Sequence, residues 1–255
     1  MSKERKQNNK MSDIRKTYMR RLVIRCVILV LSLLVCIYKP SELSILHGTN
    51  FFREFSVFHI LWVIWVFDMI QQLMPVKNHI SLGSQKLFLS RFKPIKEKIN
   101  YAALREHVIS TTKSAYKIFI LWSALLAVLG VLFHFEVIDS SMLFMICVIF
   151  YVCDLICVLI WCPFRLIMRN RCCTTCRIFN WDHLMMFSPM LFINSFFSFS
   201  LIALAFAAWV VWELCFMMYP ERFWEKTNAA LACSECTDKL CTQYCQKLRK
   251  EPYNE

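Results

Sequence analysis

The sequence predicts an all-α polytopic membrane protein, a bundle of five or six transmembrane helices with its N-terminus in the cytoplasm. Three observations predict it. Hydrophobic residues make up 58% of the 255 residues and charged residues only 19%, against roughly 45–50% and 25% in soluble domains, so too little polar surface remains to cover a water-soluble globule. The apolar residues come in blocks long enough to cross a bilayer. Lysine and arginine alternate between the blocks, with eight in 1–21 and nine in 77–117 but only Lys39 and Arg53 in 39–55 and none in 136–141. Basic residues beside spans stay cytoplasmic, so 1–21 and 75–117 are expected inside, and 39–54 and 136–141 outside. The same composition excludes disorder, collagen, a coiled coil and a secreted disulfide module.

The elements follow in order. A basic segment, 1–21, precedes a first span at 22–38, where Arg25 lies near enough to the inner edge for its stem to snorkel. No small-x-small cleavage site follows it, so a retained span is expected and not a signal peptide. The second span, 55–74, carries Trp62 and Trp65 and, near its inner end, Asp68. The loop 75–117 contains an amphipathic stretch, 95–116, with Lys96, Lys98, Arg105 and Lys113, expected to lie on the inner leaflet. The third and fourth spans are 118–135 and 142–162, with Pro163 closing the fourth. At ~1.5 Å per residue the four spans are about 26–32 Å long, close to the hydrocarbon thickness.

A Cys-rich loop, 163–183, is followed by the apolar stretch 184–219, 36 residues whose only charge is Glu213. It is long for one span and short for two with a turn. One reading is a broken helical hairpin, with Pro189 interrupting its first half and Asn194, Ser195, Ser198 and Ser200 forming the turn. The other is an interfacial helix followed by a single span at about 196–218. The two place the tail, 220–255, on opposite sides. The expected partner is the lipid bilayer with its anionic headgroups. No nucleic-acid partner is expected, because the basic residues flank spans and no base-reading fold is visible. The three glycines, Gly48, Gly83 and Gly130, are isolated, so no phosphate loop exists, and neither H-E-x-x-H nor G-x-S-x-G occurs.

Placement of the 14 cysteines carries the most specific chemistry. Cys26, Cys36, Cys147, Cys153, Cys157 and Cys215 sit inside apolar blocks, where a thiol behaves as a small hydrophobe. Cys162, Cys172, Cys173 and Cys176 follow the fourth span, and Cys233, Cys236, Cys241 and Cys245 lie in the tail. The C-x-x-C pairs Cys173/Cys176 and Cys233/Cys236 supply the two hooks of a tetrahedral thiolate site, with Cys172, Cys241, Cys245 and Cys162 as further candidates. Arg171, Arg177, Lys239 and Lys247 would favour thiolates there. Zinc would make the site a structural clamp, and an iron–sulfur cluster would make it an electron carrier with a membrane or redox protein partner. A redox dithiol and purely structural thiols remain open. A shared site needs both groups on the cytoplasmic face, which favours the hairpin reading and a tail inside.

Asp154, in the middle of the fourth span, is the candidate intramembrane polar group. An ionisable side chain there costs ~2.5–3.5 kcal/mol and must face the bundle interior, either in a proton or cation pathway or as a hydrogen-bonded neutral carboxyl. Asp68 and Glu213 lie nearer span ends, where solvation suffices, and His59 and His134 read as helix-boundary residues. Met185, Met186, Met190, Met217 and Met218 suit soft metals but also serve as apolar filler. Asp182 and His183 read either as outer partners of a metal or, with Asn180 and Trp181, as the cap and interfacial anchor of the next helix.

The run Cys162-Pro-Phe through Asn170-Arg-Cys-Cys-Thr-Thr-Cys-Arg-Ile-Phe-Asn-Trp-Asp, with Met185-Met-Phe-Ser-Pro and Cys233-Ser-Glu-Cys-Thr-Asp-Lys-Leu-Cys, resembles a group of uncharacterised bacterial multi-pass membrane proteins. The resemblance covers the last third of the chain and implies a bacterial cytoplasmic membrane location but no activity. Trp161-Cys-Pro-Phe is also similar to membrane ferredoxin-type proteins, although the regular C-x2-C-x2-C-x3-C-P run of those proteins is missing. The expectation is thus an integral membrane protein with a cytoplasmic thiolate site. A transporter or permease-like subunit using Asp154, or a non-catalytic membrane scaffold, stands as the alternative, and an enzyme is not expected.

Overall fold

A computed structural model describes residues 12–76, 80–96, 98–170 and 172–240. Cys241 and Cys245, most of the basic segment 1–21, and Arg171 lie outside the described residues. Among those described, the chain is helical and forms no strand, only two isolated bridges.

Helix α1, Asp13–Tyr38, starts where the Ser12 side chain accepts the Arg15 N–H at 3.1 Å and stops ahead of Pro40, whose ring cannot follow a helical residue. Helix α2, Phe58–Leu73, ends just before Pro75. Helix α3, Tyr101–His134, is capped by Asn100, which accepts the N–H groups of Ala102 and Ala103. At 34 residues it runs ~51 Å. The stretch expected to lie flat on the inner leaflet and the third span are therefore one continuous helix. No proline or glycine interrupts it before Gly130, so nothing forces a bend at the membrane boundary. Helix α4, Ser140–Leu159, is capped by Asp139, which accepts the Met142 N–H at 2.8 Å.

The long apolar stretch divides unequally. A short α5, Asp182–Phe187, tightens into a 3₁₀ turn, Ser188–Phe192, around Pro189, and α6, Phe196–Met218, follows after Ser195 caps it by accepting the Ser198 N–H. The α and 3₁₀ pieces rise ~1.5 and ~2.0 Å per residue, so this broken segment extends about 19 Å. Among the described residues four helices, α1, α3, α4 and α6, are long and apolar enough to cross a membrane, and α2 is a shorter apolar helix.

Contacts sort the connections to two ends. At one end Ser12 donates to the Asp238 carbonyl, Leu82 N–H donates to Asp238 Oδ2 at 2.6 Å, and Lys93 N–H donates to Asn228 Oδ1 at 3.1 Å. The start of α1, the segment 80–96, the loop after α4 and the described tail therefore meet there. At the opposite end Gly48 and the α5–α6 connection exchange hydrogen bonds, Gly48 N–H to Asn194 O at 2.9 Å and Phe196 N–H to Gly48 O at 3.1 Å. Gly48 takes φ +52° to make that turn, a conformation open to glycine. Asp182 reaches Gln72 at the first end and Ser195 reaches Gly48 at the second, so 182–195 traverses the bundle and α6 returns.

Trp65, Phe144, Phe187 and Phe197 are fully buried and meet edge to face or tilted, with ring centroids 4.7–6.2 Å apart across the cluster they form with Phe58. The outward faces of α1 and α3 are apolar as well: Val23, Val27 and Leu31, and Ile120, Leu121 and Val128, are all exposed. Such broad apolar exposure is stable only against lipid.

Candidate functional site

Four helices place charge in the bundle, between the aromatic cluster and the end that carries the N-terminus. Arg21 and Arg25 share one face of α1 by their i,i+4 spacing, as do Asp68 and Gln72 on α2, while Tyr151 and Asp154 are i,i+3 on α4. Asp182 and His183 open α5. Arg25 Nη1 donates to Asp154 Oδ2 at 2.6 Å and to the Tyr151 carbonyl at 2.7 Å, and Nη2 lies 3.5 Å from Asp68 Oδ2. The guanidinium carbon sits 3.9 Å from the centre of the Tyr151 ring, whose hydroxyl donates to Asp68 at 2.9 Å. Gln72 donates to Asp182 Oδ2 at 2.9 Å, and the other Asp182 oxygen lies 3.2 Å from His183 Nδ1.

One guanidinium thus answers two carboxylates, with a third and an imidazole beside them. Coulomb attraction at such distances is worth several kcal/mol once water is thinned out, which is how a membrane bundle tolerates charges at this depth. The Arg25 side chain is 7% exposed, whereas Asp68, Asp154 and Asp182 keep 17%, 20% and 15% of their side chains accessible. They line a cavity of about 40 Å³ shared with Arg21, Gln71, Gln72 and His183. That is space for about two or three waters or one small ion, not for a metabolite. Trp65 stands one helical turn from Asp68 on α2 and closes the chamber toward the Gly48 end with Phe187 and Phe144.

Six of the eight candidate thiols fall among the described residues. Cys162 lies just beyond α4, and Cys172, Cys173 and Cys176 occupy the loop that follows, on the same end as Cys233 and Cys236 of the tail. Cys172 Sγ is 2.9 Å from Thr174 Oγ1, and Cys173 Sγ is 3.7 Å from the Cys157 carbonyl. Cys236 is within electrostatic range of Cys172. Among the described residues, however, no three His, Cys, Asp or Glu side chains come together closely enough to hold a metal ion. Cys173, Cys176, Cys233 and Cys236 therefore do not form a four-thiolate site there.

Burial pushes the Cys176 and Cys236 thiols up, while Cys162 is held down to about 7 by its hydrogen bond with Cys157, the Phe164 and Arg165 N–H groups and the Arg165 charge. Arg177 does not attend the thiols. It forms a two-pronged pair with Glu213, one prong 2.8 Å, and Trp181 Nε1 donates to the same carboxylate at 2.7 Å. Glu213, read as solvated near a span end, is the anchor that ties the thiol loop to α6. Asp182 and His183 belong to the charged chamber.

Lys86 is a further buried cation. It is fully buried and donates to the carbonyls of Thr174 and Cys176, both at 2.9 Å, beneath the rings of Trp212 and Phe223. Burial, assisted by Arg177, lowers it from 10.5 to about 7, against the opposing pull of Cys176 and Cys172.

Sequence reasoning singled out Asp154, read Asp68 as solvated near a span end and Arg25 as snorkelling, gave Asp182 and His183 the roles of metal partners or helix cap, and missed Tyr151 and Lys86. The available signal was opposite charge at matched depth: Arg25, Asp68 and Asp154 all fall in the half of their helices nearer the end that holds Ser12. Comparison with known proteins finds no matching family, no matching curated protein and no matching solved structure. Function must therefore be argued from the site.

Proposed function

We propose that this integral membrane protein is a transporter or permease-like subunit that moves a small cation or proton through the Arg25–Asp68–Asp154 centre. The observation that carries the reading is a small polar chamber, inside an apolar bundle, in which Asp68 and Asp154 share one guanidinium beside Asp182 and His183. A bundle that needed only cohesion would be at least as stable with apolar residues of equal volume there. The alternation of lysine and arginine supports an N-terminus in the cytoplasm and a chamber facing that side. Counting the broken 182–195 segment and α2 as passes gives six crossings of the cell membrane, with the described tail also cytoplasmic. The aromatic cluster then seals the outer side, which suits a carrier that alternates its access better than an open channel.

The test is a flux panel on the purified protein in liposomes, with proton-, sodium- and potassium-sensitive dyes and an imposed membrane potential. Asp154→Asn should reduce the supported flux at least about tenfold, while Arg53→Gln, in the opposite-end loop, should leave it unchanged. Equal flux in wild type and Asp154→Asn, or none above protein-free vesicles, would overturn the reading.

A second reading is favoured by one observation, the placing of the loop and tail thiols beneath the same end of the bundle, where Lys86 holds the Thr174 and Cys176 carbonyls and the Leu82 N–H meets Asp238. The tail and loop thiols, with Cys241 and Cys245, would then hold zinc as a clamp or an iron–sulfur cluster as an electron carrier. Elemental analysis of the detergent-purified protein beside a Cys233→Ser/Cys236→Ser variant tests it. Stoichiometric zinc or iron lost in the variant supports the site, and equal metal content disposes of it.

A further inference from the structure

Resting on the transport reading, we propose that the ion handled by the chamber is the proton, and that His183 is the group that loads it. His183 is 4% exposed; its Nδ1 faces Asp182 at 3.2 Å, and its Nε2 has no hydrogen-bond partner. Leaving such a group unmatched in a packed interior is costly. The imidazole borders the cavity of about 40 Å³. One or two waters in that space would satisfy that nitrogen, and a buried water needs two to four polar partners of the kind found there. His183 Nε2 is therefore the imidazole atom left to meet water in the cavity, alongside Asp182 Oδ1, which is likewise without a hydrogen-bond partner.

Two features favour a proton over an alkali cation. Arg25 already occupies the position between Asp68 and Asp154 that a bound metal cation would take, and its fixed charge would oppose one. A proton is carried on a group without needing an oxygen cage. The groups facing His183 are Asp182 on its own helix, Arg21 and Arg25 on α1, Asp68 on α2, and Tyr151 and Asp154 on α4. In the step itself, a hydronium arriving from the basic end gives its proton to neutral His183 and leaves as water. The imidazolium then passes a proton through one cavity water to an Asp154 oxygen. The products are neutral imidazole and a neutral carboxyl, and Arg25 keeps Asp68 as its counter-charge. Nothing is oxidised or reduced, and the reverse sequence restores the start.

The test uses the full chain in detergent with ¹⁵N-labelled histidine, the His183 ring signals being assigned by their loss in His183→Gln, or in His183→Asn should the first variant fold poorly. The expected result is a ring signal that titrates between pH 5 and 9 and whose midpoint moves by about half a pH unit or more in Asp154→Asn. In the liposome panel, proton flux should fall at least about tenfold in the His183 variant. A ring that does not titrate, or does so without regard to Asp154, overturns the assignment. Sodium or potassium flux that depends on Asp154 but not on His183 also overturns it while leaving the transport reading intact. Flux independent of Asp154 removes the transport reading itself.

Discussion

At the scale of single residues, Arg25 holds the chamber together, because it is the shared partner of Asp68 and Asp154. Removing one member of such a group strands charge in a medium that solvates it poorly. Arg25→Met is expected to cost about 3–5 kcal/mol, read as a lower melting temperature in detergent. Arg25→Met/Asp154→Asn should recover about half of that, since coupled neighbours do not add. An additive double variant would show that the two side chains are energetically independent. Lys86 makes a separate prediction. It titrates at about 7 in the folded protein against an ordinary 10.5, so between those values the unfolded chain binds one more proton. Stability should then rise with pH across that window, by up to ~1.4 kcal/mol per unit, and flatten below about 7. Melting temperature followed from pH 6 to 10 should show that slope in wild type and lose it in Lys86→Met. These residue roles were the least legible in the sequence. The pairing of Glu213 with Arg177 and the burial of Lys86 come from contacts 36 and about 90 residues apart in the chain, which no local pattern carries.

At the scale of elements, the broken α5 segment decides the architecture. Its end packs Phe192 on α3 where Gly130 offers no side chain, and a Cβ built at Gly130 would lie 2.7 Å from the Phe192 ring. Gly130→Ala should therefore destabilise the protein by about 1–3 kcal/mol, with Gly130→Ala/Phe192→Leu regaining most of it, both read by thermal denaturation. Pro189 and the serine-rich connection were visible in the sequence because they are local breakers, so both halves of 184–219 could be anticipated together with the ambiguity between them. The caps Asp139 and Ser195 and the stops before Pro40 and Pro75 obey the same local rules but were not picked out in the sequence. The single helix of α3 was not legible: charge and amphipathicity suggested a boundary near residue 117, and backbone continuity ignored it.

At the scale of the whole molecule, the two ends differ in chemistry as well as in contacts. The end holding Ser12, the 80–96 segment, the thiol loop and the tail also holds the polar chamber, and the Gly48 end is closed by aromatic rings. Sidedness can be tested with an impermeant maleimide on intact cells, at exposed positions judged against the native thiol background. Arg53→Cys should label at once and Glu235→Cys only after permeabilisation; the reverse order would invert the orientation. The membrane class and the alternation of basic loops were legible from composition and charge because lipid imposes them on every span. The convergence of the charged side chains was not, since it depends on how four helices rotate about their own axes. The most direct measurement of the central claim is the water access of the chamber, read by placing Gln72→Cys on its wall and adding a charged, water-borne methanethiosulfonate to sealed membranes of each orientation. The account predicts much faster reaction from the N-terminal side, slowed when Asp154 is also replaced by Asn because the local negative charge that attracts the cationic reagent is reduced. Reaction from neither side, or equally from both, would contradict it.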